Sequence, residues 1–258
     1  VNGAARPTLP ADMQVRQKER LATLDDVTAS GASNDWFSVK ASGPVWLFPA
    51  EDHNPRSPAV RIAIRHAPGE SVILRGPDGL VVSALNFDGV QNSPDRKSAV
   101  SVWRGVPLKD GANRFKADIL AADGSTVTSL ERVIHYANAP VRAELVPEQS
   151  ILMADGINRP VLAIRLLDRD GKPVRAGVTG PLDISAPYVS WEQVQREQER
   201  QLAGMERFQP HYQIEGDNGI AYVELAPTTE SGAAVISLTF QTGPDTSRRQ
   251  EVRVWLEP

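Results

Sequence analysis

Between Val141 and Leu256 the chain is cut into short runs that alternate apolar and polar residues. Each run is closed by Gly, Asp, Asn or Pro. Val141-Arg-Ala-Glu-Leu-Val146, Val161-Leu-Ala-Ile-Arg-Leu-Leu167, Ile220-Ala-Tyr-Val-Glu-Leu225, Ala233 to Phe240 and Gln250 to Leu256 all follow this pattern. A repeat of two puts every second side chain on one face of a strand. Runs this short, with turns this frequent, predict a β-sandwich rather than helices or a parallel sheet.

The rest of the composition agrees. At 258 residues the chain has room for two domains of ordinary size, and its 20 Pro and 19 Gly suit a fold with many turns. A net charge of -4 argues against a nucleic-acid footprint, which needs a basic stripe. With 0 Cys, disulfides, thiolate zinc sites and thiol catalysis are excluded. No apolar run reaches the length of a membrane span. The chain begins with Val and its last strand candidate ends almost at Pro258, so we expect a segment of a longer polypeptide.

Residues 1–35 read as a leader or linker, with a short helix between Pro10 and Val27 as the alternative. Residues 36–139 predict a first sandwich. Its strand candidates include Trp36 to Lys40, Val45 to Phe48, Ala59 to His66, Ser71 to Leu74, Leu80 to Leu85, Ser98 to Arg104, a run through Phe115 and Ile119, and Thr126 to Tyr136. In the third of these, Val60, Ile62 and Ile64 share one face, and Arg61 and Arg65 take the other, which reads as wet. Ala137-Asn-Ala-Pro140 reads as a boundary, and residues 140–258 as a second sandwich.

One stretch breaks the strand rhythm. Across 190–208, Trp191, Val194, Gln198, Leu202, Met205 and Phe208 recur at steps of three and four, which predicts a helix inserted between strands. Ser190 with Gln193 fits a capping box, and Glu192 with Arg196 an i,i+4 pair. The helix is either a packing insert over a sheet edge or a partner-binding element carrying Trp191, Arg196 and Arg200.

Several phrases in the second half resemble a known family. Ala154-Asp-Gly156, Asp168-Arg-Asp-Gly-Lys-Pro-Val174, Asp217-Asn-Gly-Ile-Ala-Tyr-Val-Glu-Leu225 and Gly232 with Val235 to Phe240 resemble the turn-and-strand phrases of bacterial Ig-like repeats of invasin and intimin type, the Big-1 group. The third phrase has a slightly shorter spacing, and ordinary repeats lack the helix. The resemblance covers under half of the chain; residues 36–139 resemble Ig-like modules only generically. It implies a secreted or outer-membrane-attached protein whose domains act as stalks, spacers or adhesive units, and it implies no catalytic residues.

His53, His66, His135 and His211 show no metal-ligand spacing, and no nucleophile elbow, phosphate loop or H-E-x-x-H is present. Asp168, Asp170 and Asp217, with Asp155, are calcium candidates if their turns converge; otherwise they are what tight turns require. Trp255 falls on the face opposite Val252, Val254 and Leu256, beside Arg253, and so reads as a contact to a neighbouring domain. The expected object is all-β: tandem Ig-like β-sandwiches, the second with an inserted α-helix. It is expected to be non-enzymatic and cofactor-free, and to belong to a bacterial surface or envelope protein. Its partners are neighbouring domains of the same polypeptide and a protein or glycan at the cell surface. The alternatives are a carbohydrate- or envelope-polymer-binding module, recognised by two or three exposed rings on one face, and an accessory module of a secreted hydrolase.

Overall fold

The structure is a computed structural model that describes residues 36–40, 42–203 and 208–258. The chain divides into two compact units between Ala137 and Asn138. Strands dominate both, and in each the strands form two facing layers around one core.

The first unit contains β1 (Val45–Phe48), β2 (Ala59–His66), β3 (Ser71–Arg75), β4 (Phe87–Asn92), β5 (Ala99–Pro107), β6 (Gly111–Leu120) and β7 (Thr126–Tyr136). One sheet runs β1-β2-β5-β4 and the other β3-β6-β7. With the strands lettered A to G in chain order, these are A-B-E-D and C-F-G, the constant-type immunoglobulin arrangement. The core lies between the sheets. Val60, Ile62 and Ile64 of β2 meet Phe115, Ala117 and Ile119 of β6, with Trp46, Leu74, Trp103 and Ile134 around them. Alternation places them there: their neighbours Arg61, Arg114, Lys116 and Asp118 point outward.

Two expectations for this unit need correction. Trp36 to Lys40 is a turn, not a strand. Trp36 and Phe37 pack with Leu47 over Ala63, Val100 and Val102 on the outer face of the four-stranded sheet. The face of β2 read as wet is therefore partly dry, and Ala63 is fully buried. Leu80 to Leu85 is also not a strand. Val81 bridges Arg75, and Ser83 then accepts the Leu85 N–H to start a single 3-10 turn over Ala84–Asn86. β4 follows and was not read, because its sequence, Phe-Asp-Gly-Val-Gln-Asn, buries almost nothing.

The second unit contains β8 (Arg142–Leu145), β9 (Val161–Leu167), β10 (Thr179–Ile184), α1 (Trp191–Ala203), β11 (His211–Glu215), β12 (Ile220–Glu224), β13 (Gly232–Gly243) and β14 (Thr246–Leu256). Hydrogen bonding follows the order β14-β13-β10-β11-β12-β9-β8. The sheet turns over at β10, whose first half, Thr179–Pro181, pairs with β11 and whose second half, Leu182–Ile184, pairs with β13. The two layers are therefore β8-β9-β12-β11 and β10-β13-β14, again A-B-E-D and C-F-G. Leu162, Ile164, Leu166, Ile214 and Val223 face Ile236, Leu238, Phe240, Val252 and Val254 across the core. On the opposite edge Met153 bridges Glu257 in parallel, and the Ala154 N–H donates to the Glu257 carbonyl.

The helix follows β10 and precedes β11. Of the expected span 190–208, Ser190 is its cap, Phe208 lies beyond its end, and 204–207, with Met205, lie outside the described residues. So does the expected helix between Pro10 and Val27.

Candidate functional site

Asp168 is buried, and its Oδ1 accepts the N–H groups of Asp170 at 3.0 Å and Lys172 at 2.9 Å. Its own N–H donates to the Lys172 carbonyl. The carboxylate thus closes the turn that follows β9. Asp170 is exposed, 3.9 Å from Arg169. Asp217 is exposed in the turn between β11 and β12. Asp155 accepts the N–H groups of Ile157 and Asn158, at 2.8 and 2.7 Å, and those backbone bonds hold its carboxyl below the usual range. Among the described residues, neither Asp217 nor Asp155 comes close enough to Asp168 and Asp170 to share an ion.

His53, His66 and His211 serve local structure. His66 is buried, with Nε2 at 2.7 Å from Ser101 Oγ and Nδ1 at 2.8 Å from the Ala67 carbonyl. His53 stands edge-on to Phe48, and His211 begins β11.

The foot of α1 is tightly built. Ser190 is buried and its Oγ accepts the Gln193 N–H at 3.0 Å. Ser190 also bridges Leu225, and the Ala226 N–H donates to the Val189 carbonyl. The Arg159 guanidinium lies 4.9 Å above the Trp191 ring, while its Nε meets Glu224 Oε1 at 3.0 Å. Arg159 thus clamps the first turn to the end of β12. Arg159 was missed in the sequence because its partners are far along the chain. Arg196 pairs with Glu199 at 3.7 Å instead of Glu192, and its guanidinium lies 5.8 Å from the Phe208 ring. The side chains of Arg200 and Leu202 lie outside the described residues.

The outer face of β10-β13-β14 carries an exposed indole ring. Val252, Val254 and Leu256 point inward, so Arg249, Glu251, Arg253 and Trp255 point outward. Trp255 is 64% exposed. Opposite this row on β13 stand Ala233, Val235, Ser237 and Thr239. These small side chains leave the ring standing clear of the sheet. Met153, itself 48% exposed, flanks it through the bridge to Glu257. Alternation alone finds Trp255; Met153 follows only from long-range pairing. Arg249 is held by Asp183 at 3.0 Å. An indole ring beside a guanidinium offers dispersion, stacking and a directed charge.

No family model matches the chain, and no curated protein matches it. Solved structures do resemble it. A β-glucuronidase from glycoside hydrolase family 2 is 16% identical over 84% of this chain and 20% of its own, with a TM-score of 0.35. The Yersinia pseudotuberculosis adhesin InvE is 12% identical over 79% of this chain and 56% of its own, at 0.30. The Escherichia coli adhesin FdeC is 14% identical over 81% and 62%, at 0.29. The chain thus spans about a fifth of the glucuronidase and under two thirds of either adhesin. At these TM-scores the likenesses carry no functional argument. The immunoglobulin arrangement rests on the strand order, and the Big-1 resemblance on its turn phrases.

Proposed function

We propose that this chain is a non-catalytic Ig-like segment of a larger bacterial cell-surface or outer-membrane-associated protein. It acts as a spacer and presents a binding surface. The two units form a tandem, the second a Big-1-like sandwich with α1 inserted between its third and fourth strands. The observation that carries this reading is the outward row Arg253–Trp255 with Met153, displayed on a rigid sheet whose other face is fully committed to the core. A large ring held in water on a rigid surface is the kind of residue that dominates protein interfaces. The polymer-binding alternative needs several rings on one face. Among the described residues the exposed aromatics are Trp255 and Phe87, which belong to different units.

The test is binding of the immobilised chain to purified extracellular-matrix proteins and polysaccharides, with Trp255→Ala in parallel. Trp255 is exposed, so the variant keeps its thermal midpoint. Its affinity for the bound partner is expected to fall by about 2 kcal/mol, the scale of an aromatic hot spot. Equal binding by both proteins, or turnover of a glycoside substrate, would defeat the reading.

A further inference from the structure

On the outer face of β1-β2-β5-β4, in the first unit, two arginines stand side by side, and among the described residues one of them has an ion-pair partner. β2 and β5 change register between Val60↔Val106 and Ile62↔Trp103, with the extra residue on β5. Arg61 therefore stands opposite Arg104 and Gly105, and Gly105 takes the positive φ of 62° that the bulge needs. Arg61 lies on the face of Ala63, and Arg104 on the face of Val102, so both side chains emerge on the side that Trp36 and Phe37 partly cover. Like charges directly opposite on neighbouring strands are destabilising. Arg104 has a counter-ion, with Asp88 Oδ2 2.8 Å from its Nε. Arg61 makes no ion pair among the described residues, and one carboxylate neutralises one guanidinium. Burial, and then the Arg104 charge, push the Arg61 guanidinium below its ordinary range, with Asp88 opposing them. Two adjacent guanidinium groups thus share the one carboxylate of Asp88.

We propose that Arg61 and Arg104 together bind an oxyanion: the sulfate, phosphate or carboxylate group of a ligand. Two planar guanidinium groups on adjacent strands offer paired N–H donors to one such group, a geometry that lysines do not provide. Asp88 already shows how a carboxylate meets the Arg104 guanidinium. The site lies in the other unit from Trp255, so the two proposals fail separately.

The experiment is a titration of the whole chain with sodium sulfate against sodium chloride at matched ionic strength, read on the arginine Nε–H resonances. The Arg61 and Arg104 signals are expected to move saturably. Arg61→Ala should weaken sulfate binding roughly tenfold, the loss expected for a charge-assisted contact. Arg248→Ala, an exposed arginine of the second unit, should leave it unchanged. Dextran sulfate against neutral dextran then separates the sources. Tighter binding per sulfate to the polymer through the same two signals assigns the site to an acidic polysaccharide, and equal binding assigns it to a free ion. The proposal is overturned if every exposed arginine shifts alike and without saturation, or if Arg61→Ala titrates like the parent.

Discussion

Gly180 shows how one residue can be fixed by the packing around it. A Cβ at that position would lie 2.5 Å from Tyr212 Oη and 2.6 Å from the Thr239 carbonyl, closer than real side chains come. The space is taken by a hydrogen bond, since the Tyr212 hydroxyl donates to that carbonyl at 2.9 Å while its ring stands edge-on to Phe240. Tyr212 is 2% exposed, and burial pushes its phenol up to about 12. The sign of the linkage follows. An unfolded chain releases that proton near its ordinary value of about 10, whereas the folded chain holds it to about 12. Between those values the folded state binds more protons, so stability is lost as pH rises through the window. Urea unfolding at pH 9 and pH 11 should show a loss of about 1 kcal/mol for the parent chain. Tyr212→Phe should lack that alkaline loss, although it is about 1 kcal/mol less stable at neutral pH for want of the hydrogen bond. An identical alkaline slope in both proteins would mean that Tyr212 titrates freely.

Among elements, α1 is the one least supported by the sandwich. A helix of 13 residues is marginal in water by itself, so its first turn decides whether it persists. That turn is held by the Ser190 cap and by Trp191 beneath Arg159. Ser190→Ala removes a cap worth about 1 kcal/mol, enough to lower the folded-to-frayed ratio roughly fivefold. Amide exchange across Trp191–Ala203 should quicken by that factor while exchange in β9 stays slow; unchanged helix protection would show the cap to be idle. The helix was legible in the sequence because a stripe at steps of three and four differs sharply from alternation. Strands with one buried face were legible for the same reason, as Val60-Ile62-Ile64 and Val252-Val254-Leu256 illustrate. β4, β10 and β11 were not. β10 carries Gly180 and Pro181, and β11 is as polar as a loop, so only their neighbours make them strands. Trp36 to Lys40 misled in the opposite sense: two aromatics in a row suggest a strand, but here they lie as a cover over Ala63 and Val102. The site residues divide likewise. Trp255 could be placed by counting along one strand, whereas Met153, Arg159 and the Arg61–Arg104 pair depend on which strands become neighbours.

At the scale of the molecule, the same strand order occurs twice in sequences with different turns. Each unit closes its own core. The residues around Ile62 and Phe115 belong to one apolar cluster and those around Ile164 and Phe240 to another, with no member in common. For a spacer this matters, because a segment under load resists as many times as it has independently folding cores. Two separate cores should unfold in two transitions. Ile62 is fully buried, and Ile62→Ala should destabilise the first unit by about 2–5 kcal/mol through lost transfer free energy and the cavity left behind. The second unit shares none of that core and should keep its own transition. In calorimetry the variant should show one endotherm moved down by several degrees and another in its original place. If both endotherms move together, the units fold as one cooperative body, and the mechanical reading of two serial cores fails while the binding face around Trp255 stands.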